Sequence, residues 1–281
     1  MVNEFIEKTI KMLQRSDIII RMPEHRKLEF DGEMRKVYIE LSDMFGKTQL
    51  QDNLIFHVMV FFSLMDTYVD ISYPNLEGQS FAKKYIDLRA SNDMEIMIKE
   101  SYRVLKILRN ASIHSRNAIS VGNDNVIIVN YQYRGTNFRI DMSKNCLELI
   151  YSLIFLLIED KNYPSIYMEG LVRTYYDNIK SSITYISDDF GINNLVCISP
   201  GLRLKRIVRY NVVNPNIVID SGEQTVNINK HQLHEMEKEH YSSDYKIIVN
   251  GKCYLIPDEI LGANSILNFN DLTPWETTED A

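Results

Sequence analysis

The chain has 281 residues, of which 45% are hydrophobic and 25% are charged, and its formal net charge is -7. A chain of this length can form one large domain or two of ordinary size, each with its own core. The composition is typical of folded rather than disordered proteins. The acidic balance argues against a protein that coats nucleic acid non-specifically, but it is compatible with a local basic site. The three cysteines are widely spaced, without a CxxC pair, which predicts unpaired thiols.

The amino terminus has early acidic residues and lacks the layout of a signal peptide, which predicts a cytoplasmic protein. The two most apolar runs, 54–65 and 146–158, are too short to cross a membrane. Acidic residues also bound or interrupt each run. We therefore expect no membrane among the partners of this protein.

The first part of the chain has a mainly helical pattern. Apolar periodicity and capping residues indicate helices in the following segments: 3–14, 31–45, 51–71, 78–90, 93–116 and 143–159. Between the last two helices, segments 126–133 and 138–142 have strand-like composition on either side of Arg134-Gly135-Thr136-Asn137, which predicts a hairpin. Residues 1–160 are therefore expected to form a helical bundle with a β-hairpin inserted before its last helix.

Residues 161–281 are expected to form a smaller α+β domain, so the predicted fold class is mainly α followed by α+β. Helices are predicted over 166–186 and 232–239. Strands are predicted at 195–198, 207–213, 216–220, 225–228 and 245–256. The residues after Asn270 are expected to be loosely ordered.

The helix predicted over 93–116 has two different faces. One face is apolar and carries Met97, Ser101, Val104, Leu108 and Ala111. The opposite face, which we call the polar stripe, carries Lys99, Arg103, Lys106, Asn110 and His114. No aspartate or glutamate occurs between Ser101 and Asn123. The polar stripe therefore predicts an anionic partner, although a solvated outer face has the same composition.

The end of this helix carries the pattern Arg109-Asn110-x-x-x-His114. This pattern, on a long helix of a bundle and before a final apolar helix, resembles the signature of HEPN-domain proteins. The resemblance covers about residues 1–160 and departs from many family members at Ser115, where they have glycine. It implies an endoribonuclease that needs neither metal nor cofactor, with Arg109, Asn110 and His114 as its catalytic residues.

RNA can be cut without a metal when its own 2′-hydroxyl attacks the adjacent phosphorus and leaves a 2′,3′-cyclic phosphate. His114 would move the protons, because an imidazole gains and loses a proton near neutral pH. Arg109 would stabilise the charge that builds on the phosphate, and Asn110 would orient the imidazole or the phosphate. Arg109 and His114 are about 140° apart around an ideal helix, so the length of the arginine or a second motif must close this gap.

Members of the HEPN family pair so that two motifs form one composite site, which implies a symmetric homodimer. Many act as toxins or in anti-phage defence, so the hypothesis is a growth-arresting RNase with an antitoxin or another regulatory partner. The RNA backbone would be bound by basic side chains near the motif: Lys99, Arg103, Lys106 and Arg116. Unpaired bases would stack on Tyr102, Tyr131 or Tyr133.

The residues also allow other interpretations. The alternative function is a non-catalytic module that binds RNA, a nucleotide or a protein, or that serves as a dimerisation platform. Arg109 and His114 would then be a solvated helix end, where cationic side chains interact favourably with the helix dipole. Asp66 and Asp70 either position Arg109 or are capping or exposed residues.

The remaining histidines do not indicate a metal site. His231, His234 and His240 lie in the run HQLHEMEKEH, but their spacing matches no metalloprotease motif, and glutamate-rich surface helices commonly carry such residues. His57 lies within an apolar helix and is expected in the core.

Overall fold

The structure is a computed structural model that describes residues 2–14, 24–31, 34–38, 54–114, 117–122, 125–159, 162–230, 240–262 and 264–278. Of these residues, 45% are helical and 30% lie in strands, which form three sheets of six, five and three strands. The chain therefore has a mixed α/β fold, and the prediction of a mainly α protein is wrong.

The clearest correction concerns the segment predicted as a helix over 31–45. Its described residues belong to two antiparallel strands, Glu24–Asp31 and Met34–Tyr38. The first of these also pairs in parallel with Val208–Val213, far along the chain. Met34–Tyr38 is thus the edge strand of a sheet in which its neighbour Glu24–Asp31 pairs with this distant partner, and local periodicity does not contain such pairing.

Elements are labelled in chain order. The helices are α1 Val2–Gln14, α2 Leu54–Ser72, α3 Phe81–Asp87, α4 Asp93–His114, α5 Lys144–Ile158 and α6 Ser165–Ser182. The strands are β1 Glu24–Asp31, β2 Met34–Tyr38, β3 Ile119–Val121, β4 Val126–Tyr133, β5 Thr136–Ser143, β6 Ile183–Asp188, β7 Gly191–Ile192, β8 Val208–Val213, β9 Ile217–Asp220, β10 Thr225–Ile228, β11 Ser242–Val249, β12 Lys252–Pro257, β13 Ile266–Asn268 and β14 Glu276–Thr277. Short helical turns lie at Pro74–Leu76, Asp258–Ile260, Phe269–Leu272 and Thr273–Trp275.

The described residues fall into two units. Unit 1 consists of the described residues within Met1–Arg21, Phe45–Glu159 and Tyr175–Pro200. Unit 2 takes those within Met22–Met44, Asp160–Thr174 and Gly201–Ala281. The chain passes between the units at Glu159, close to the predicted boundary at residue 160, and also at other points, so each unit is discontinuous in sequence.

The helical core of unit 1 forms around α2, which packs against α4 and α5. The ring of Phe61 on α2 stacks on that of Tyr151 on α5, with the ring centroids 3.7 Å apart. Helix α5 begins where it was predicted, because the Ser143 hydroxyl accepts a hydrogen bond from the Cys146 amide. These two apolar helices thus pack against each other in the core of unit 1.

The sheet of unit 1 has five antiparallel strands in the order β3-β4-β5-β6-β7. The predicted hairpin is confirmed as β4 and β5, but it is part of this sheet and not an isolated insertion. Strand β6 comes from the end of the helix predicted over 166–186, which stops at Ser182. Val129, Ile140 and Ile186 lie next to one another across β4, β5 and β6 and are buried.

Unit 2 contains a six-stranded sheet in the order β14-β12-β11-β8-β1-β2 and a three-stranded sheet in the order β13-β10-β9. The strands predicted near β8, β9 and β10 are confirmed, whereas the described segment 195–198 forms no strand. The single strand predicted over 245–256 is divided into β11 and β12 by a turn at Asn250 and Gly251. The helix predicted over 232–239 lies outside the described residues. Leu272 and Trp275 are buried, so the expectation of a loosely ordered tail is wrong for their segment.

Among the described residues, one helix, α2, is long and apolar enough to cross a membrane by length and composition. Core helices share these properties, and in unit 1 the side chains of Phe61, Leu64 and Met65 on α2 are fully buried. None of the three cysteines forms a disulfide, as predicted, with Cys146 and Cys253 buried and Cys197 exposed.

Candidate functional site

The polar stripe of α4 lies against the sheet of unit 1. Four of its positions each meet a side chain of the sheet or of its last turn: Arg103 meets Asp188, Lys106 meets Asp189, Asn110 meets Tyr131, and His114 meets Tyr133. The interpretation of this stripe as a solvated outer face is therefore wrong for its middle part. The polar stripe predicted an anionic partner. For Arg103 and Lys106 that partner is an aspartate of the same chain.

Arg103 is held by carboxylates and is only 2% exposed. Its guanidinium donates to Asp188 through Nε at 2.6 Å and Nη2 at 2.9 Å, and to Glu100 through Nη1 at 3.2 Å. Burial lowers the pKa of Arg103, but the bonds to Asp188 outweigh it and raise the pKa overall. The prediction that Arg103 contacts RNA is wrong, because its charge is neutralised inside the fold.

Lys106 is likewise buried, at 3% exposure. Its ammonium lies 3.9 Å from the Asp189 carboxylate and 5.0 Å from the centre of the Tyr85 ring. Burial disfavours the charged form and lowers the pKa of this lysine. A buried ammonium cannot reach an RNA phosphate in solvent, so this predicted contact is also wrong.

Lys106→Met should stabilise the protein by about 1 kcal/mol at neutral pH, because it removes a poorly compensated buried charge and keeps the unbranched stem. The stabilisation should shrink with rising pH. The folded pKa of Lys106 lies below the ordinary 10.5, so the wild type regains stability as the pH rises through the folded pKa towards 10.5. Urea unfolding of the wild type and of Lys106→Met at pH 7 and near pH 10 tests both the stabilisation and its decrease with pH. A difference in unfolding free energy that does not change with pH would contradict the lowered pKa of Lys106.

Lys99, Arg116 and three tyrosines were also predicted to contact RNA. The Lys99 ammonium donates to the carbonyls of Ile86 at 3.2 Å and Leu88 at 2.8 Å, which uses two of its three N–H groups. Arg116 lies outside the described residues. Of the three tyrosines predicted to stack on bases, Tyr102 and Tyr131 are buried, whereas Tyr133 is 45% exposed.

Arg109 differs from Arg103 in its surroundings. Its guanidinium lies 4.6 Å from the centre of the Phe81 ring and 5.9 Å from that of Phe62, and Nη1 donates to Asn110 Oδ1 at 3.1 Å. Within the described part of the chain no carboxylate pairs with it. A half-buried cation on an aromatic surface with an uncompensated charge is suited to bind an anion.

Asp66 and Asp70 do not position Arg109. Both pair with the Lys84 ammonium, at 2.9 Å and 2.6 Å. Asp66 does face α4, but there it accepts a hydrogen bond from the Tyr102 hydroxyl at 2.8 Å. Both carboxylates are thus bound to one ammonium, and no bond to Arg109 joins either of them among the described residues, which corrects the interpretation that one of them would orient the arginine of the motif.

His114 is the last residue of α4 and is exposed. Its ring lies against that of Tyr133, with the ring centroids 5.8 Å apart and the planes inclined by 21°. No hydrogen bond among the described residues joins it to Arg109 or Asn110. Arg109 lies against the Phe62 and Phe81 rings of α2 and α3, and its one link towards His114 in the described part of the chain is the bond to Asn110, which lies one helical turn before the histidine.

The other histidines add no site in the described residues. His57 is half-buried, not in the core as predicted, and His231 and His234 lie outside the described part of the chain. No group of three or more potential metal ligands occurs among the described residues.

No family model, curated protein or solved structure matches this chain. The resemblance to HEPN proteins therefore rests on the motif and its position on α4.

Proposed function

We propose that this protein is a metal-independent endoribonuclease of the HEPN type. The observation that carries the proposal is the end of α4, where the Arg109 guanidinium has no carboxylate partner among the described residues and bonds to Asn110 one turn before an exposed His114. This arrangement offers a cation for a phosphate, an amide for orientation and an imidazole for proton transfer.

In the proposed reaction the 2′-hydroxyl of RNA attacks the adjacent phosphorus, and the bond to the 5′-oxygen of the next nucleotide breaks. An imidazole accepts the proton of the hydroxyl, and a protonated imidazole donates one to the departing oxygen. Arg109 binds the non-bridging phosphate oxygens, whose charge increases in the transition state. The products are a 2′,3′-cyclic phosphate and a 5′-hydroxyl.

The proposed active species is a symmetric homodimer with a composite site. Base and acid are needed at the same time on opposite sides of the phosphorus, and each motif supplies one histidine. Two copies related by a two-fold axis beside the end of α4 would provide both. A solution mass of twice that of one chain is expected.

We further propose that the enzyme acts in the cytoplasm as a toxin or anti-phage effector. An uncontrolled RNase is harmful to its host, so an antitoxin or another regulatory partner belongs to this proposal. Unit 2, which holds most of the predicted C-terminal domain 161–281, would regulate the site or select its substrate.

The purified protein should cleave RNA in the presence of EDTA and leave 2′,3′-cyclic phosphate ends. RNA in which every 2′-hydroxyl is methylated should stay intact, because its nucleophile is blocked. End labelling and mass spectrometry of the fragments identify the products. Cleavage that requires a divalent cation, or that proceeds on methylated RNA, would refute the proposed mechanism.

Burial of Arg103 and Lys106 leaves fewer cations for a long RNA-binding surface, which favours, within the alternative function, a nucleotide-binding, protein-binding or dimerisation role over RNA binding. The alternative is a non-catalytic module that binds RNA, a nucleotide or a protein, or that provides a dimerisation platform. Under this alternative RNA binds but stays intact, and cells tolerate the wild type as well as Arg109→Ala.

A further inference from the structure

The tip of the β4–β5 hairpin has an unusual residue for its turn. Strand β4 ends at Tyr133 and β5 begins at Thr136, so Arg134 and Gly135 form a two-residue turn. Both residues have positive φ, 50° and 85°, as in type I′ turns. The first position of such turns favours asparagine, aspartate or glycine, because other side chains are strained there.

The same chain shows the favoured solution in another two-residue hairpin. Between β11 and β12 the turn residues are Asn250 and Gly251, with φ of 53° and 77°. The two turns thus share their backbone conformation and their glycine but differ at the first position. Arg134 is in a conformation that asparagine adopts more easily, which indicates that the arginine side chain serves another purpose.

That side chain lies next to the proposed catalytic histidine. The Arg134 guanidinium is 5.2 Å from the centre of the Tyr133 ring, and the same ring stacks on His114. Tyr133 thereby links the cation at the hairpin tip to the imidazole at the end of α4. Both hairpin residues are exposed.

The charge of Arg134 is also uncompensated. Among the described residues no carboxylate pairs with it, whereas Arg139 on the same hairpin forms a two-point ion pair with Asp141 at 2.6 and 2.9 Å. An exposed guanidinium without a carboxylate can bind a phosphate through two N–H groups.

We propose that the hairpin tip binds single-stranded RNA, with Arg134 holding a phosphate next to the scissile one. This inference rests on the proposed function. Because Arg103 and Lys106 are buried and cannot bind RNA, Arg134 supplies the second phosphate contact beside Arg109. The substrate class is unpaired RNA, because Tyr133, which is 45% exposed beside His114, can contact a base only when that base is not in a duplex.

The test compares Arg134→Asn with the wild type on a single-stranded 2′-O-methyl 20-mer, which cannot be cleaved. Dissociation constants are measured by fluorescence anisotropy over a series of salt concentrations. Arg134→Asn should weaken binding about five- to tenfold at low salt. It should also reduce the slope of log affinity against log salt by about 0.7, the value for one lost phosphate contact on a single strand.

The same substitution should raise the melting temperature by about 2 °C, because it creates the favoured Asn-Gly turn. Weaker binding together with higher stability cannot come from damage to the fold. The matched control is Asn250→Arg, which places arginine in the equivalent turn of unit 2. It should lower the melting temperature and leave the binding and its salt slope unchanged.

An unchanged affinity and salt slope in Arg134→Asn would overturn this inference, even if the wild type cleaves RNA. An equal loss of binding in Asn250→Arg would also overturn it. Binding that depends on Arg134 in a wild type that cleaves no RNA would overturn the proposed function alone.

Discussion

His114→Ala is expected to reduce the rate of RNA cleavage by more than about 10³-fold, because the homodimer loses both its general base and its general acid and each contributes about 10²–10⁴-fold. The reason is that the described part of the motif offers no other group that exchanges protons near neutral pH. RNA binding should change little, because Arg109 and Arg134 remain. The single-turnover cleavage rate in EDTA and the affinity for the 2′-O-methyl 20-mer separate these two effects.

The fold should tolerate this substitution, since His114 is exposed at the end of its helix, with its ring against that of Tyr133. We expect the free energy of unfolding to change by less than about 0.5 kcal/mol. The control is His240→Ala, which removes another exposed histidine, in unit 2, and should leave cleavage intact. Undiminished cleavage by His114→Ala would refute the catalytic assignment.

The helix that carries this motif could be predicted from the sequence, because its apolar face and its caps are local features. The surroundings of this helix could not be predicted from the sequence. The polar stripe indicated an anionic partner, but Asp188 and Asp189 follow α6 and reach α4 only because β6 joins the sheet. A cationic helix face can contact solvent, a ligand or carboxylates of the same chain. Which of these it contacts depends on pairing between distant strands, and the local hydrophobic periodicity carries no information on that pairing.

The hairpins show the same limit. The β4–β5 hairpin was predictable because its two-residue turn and flanking strands are adjacent in sequence. The β1–β2 hairpin was missed, since the β2 segment also fits a helix. Strand β8, which pairs with β1, begins only at Val208. The role of Arg134 had a local signal, an arginine before glycine in a two-residue turn, but the contact with Tyr133 and through it with His114 required the fold.

A buried ion-pair cluster in unit 2 had no sequence signal at all. Arg209 on β8 and Asp244 on the neighbouring β11 are both 0% exposed and bond at 2.7 to 2.9 Å. Glu259 accepts two further bonds from Arg209 at 2.6 and 2.8 Å. Tyr167 on α6 donates its hydroxyl to Asp244 at 2.7 Å. The cluster joins α6, β8, β11 and the turn Asp258–Ile260 within unit 2.

The protonation states of this cluster follow from its geometry. Burial lowers the pKa of Arg209, but Asp244 and Glu259 outweigh it and raise the pKa overall, so the guanidinium stays charged. Burial, and then the negative charge of Asp244, raise the pKa of Tyr167, which stays a neutral donor. Asp244 therefore accepts bonds from both a cation and a hydroxyl.

Asp244→Asn should destabilise unit 2 by about 3–5 kcal/mol, because it leaves a buried guanidinium with half of its compensating charge. Trp275, the one tryptophan of the chain, is buried in unit 2, so its fluorescence during urea unfolding reports on this unit. Glu276→Gln is the matched control, since it breaks the Lys252 to Glu276 pair, which has a similar 2.8 Å separation but lies in solvent. Solvent and salt screen that pair, so the urea midpoint should stay the same. Similar shifts in both variants would show that burial does not set the strength of the Arg209 cluster.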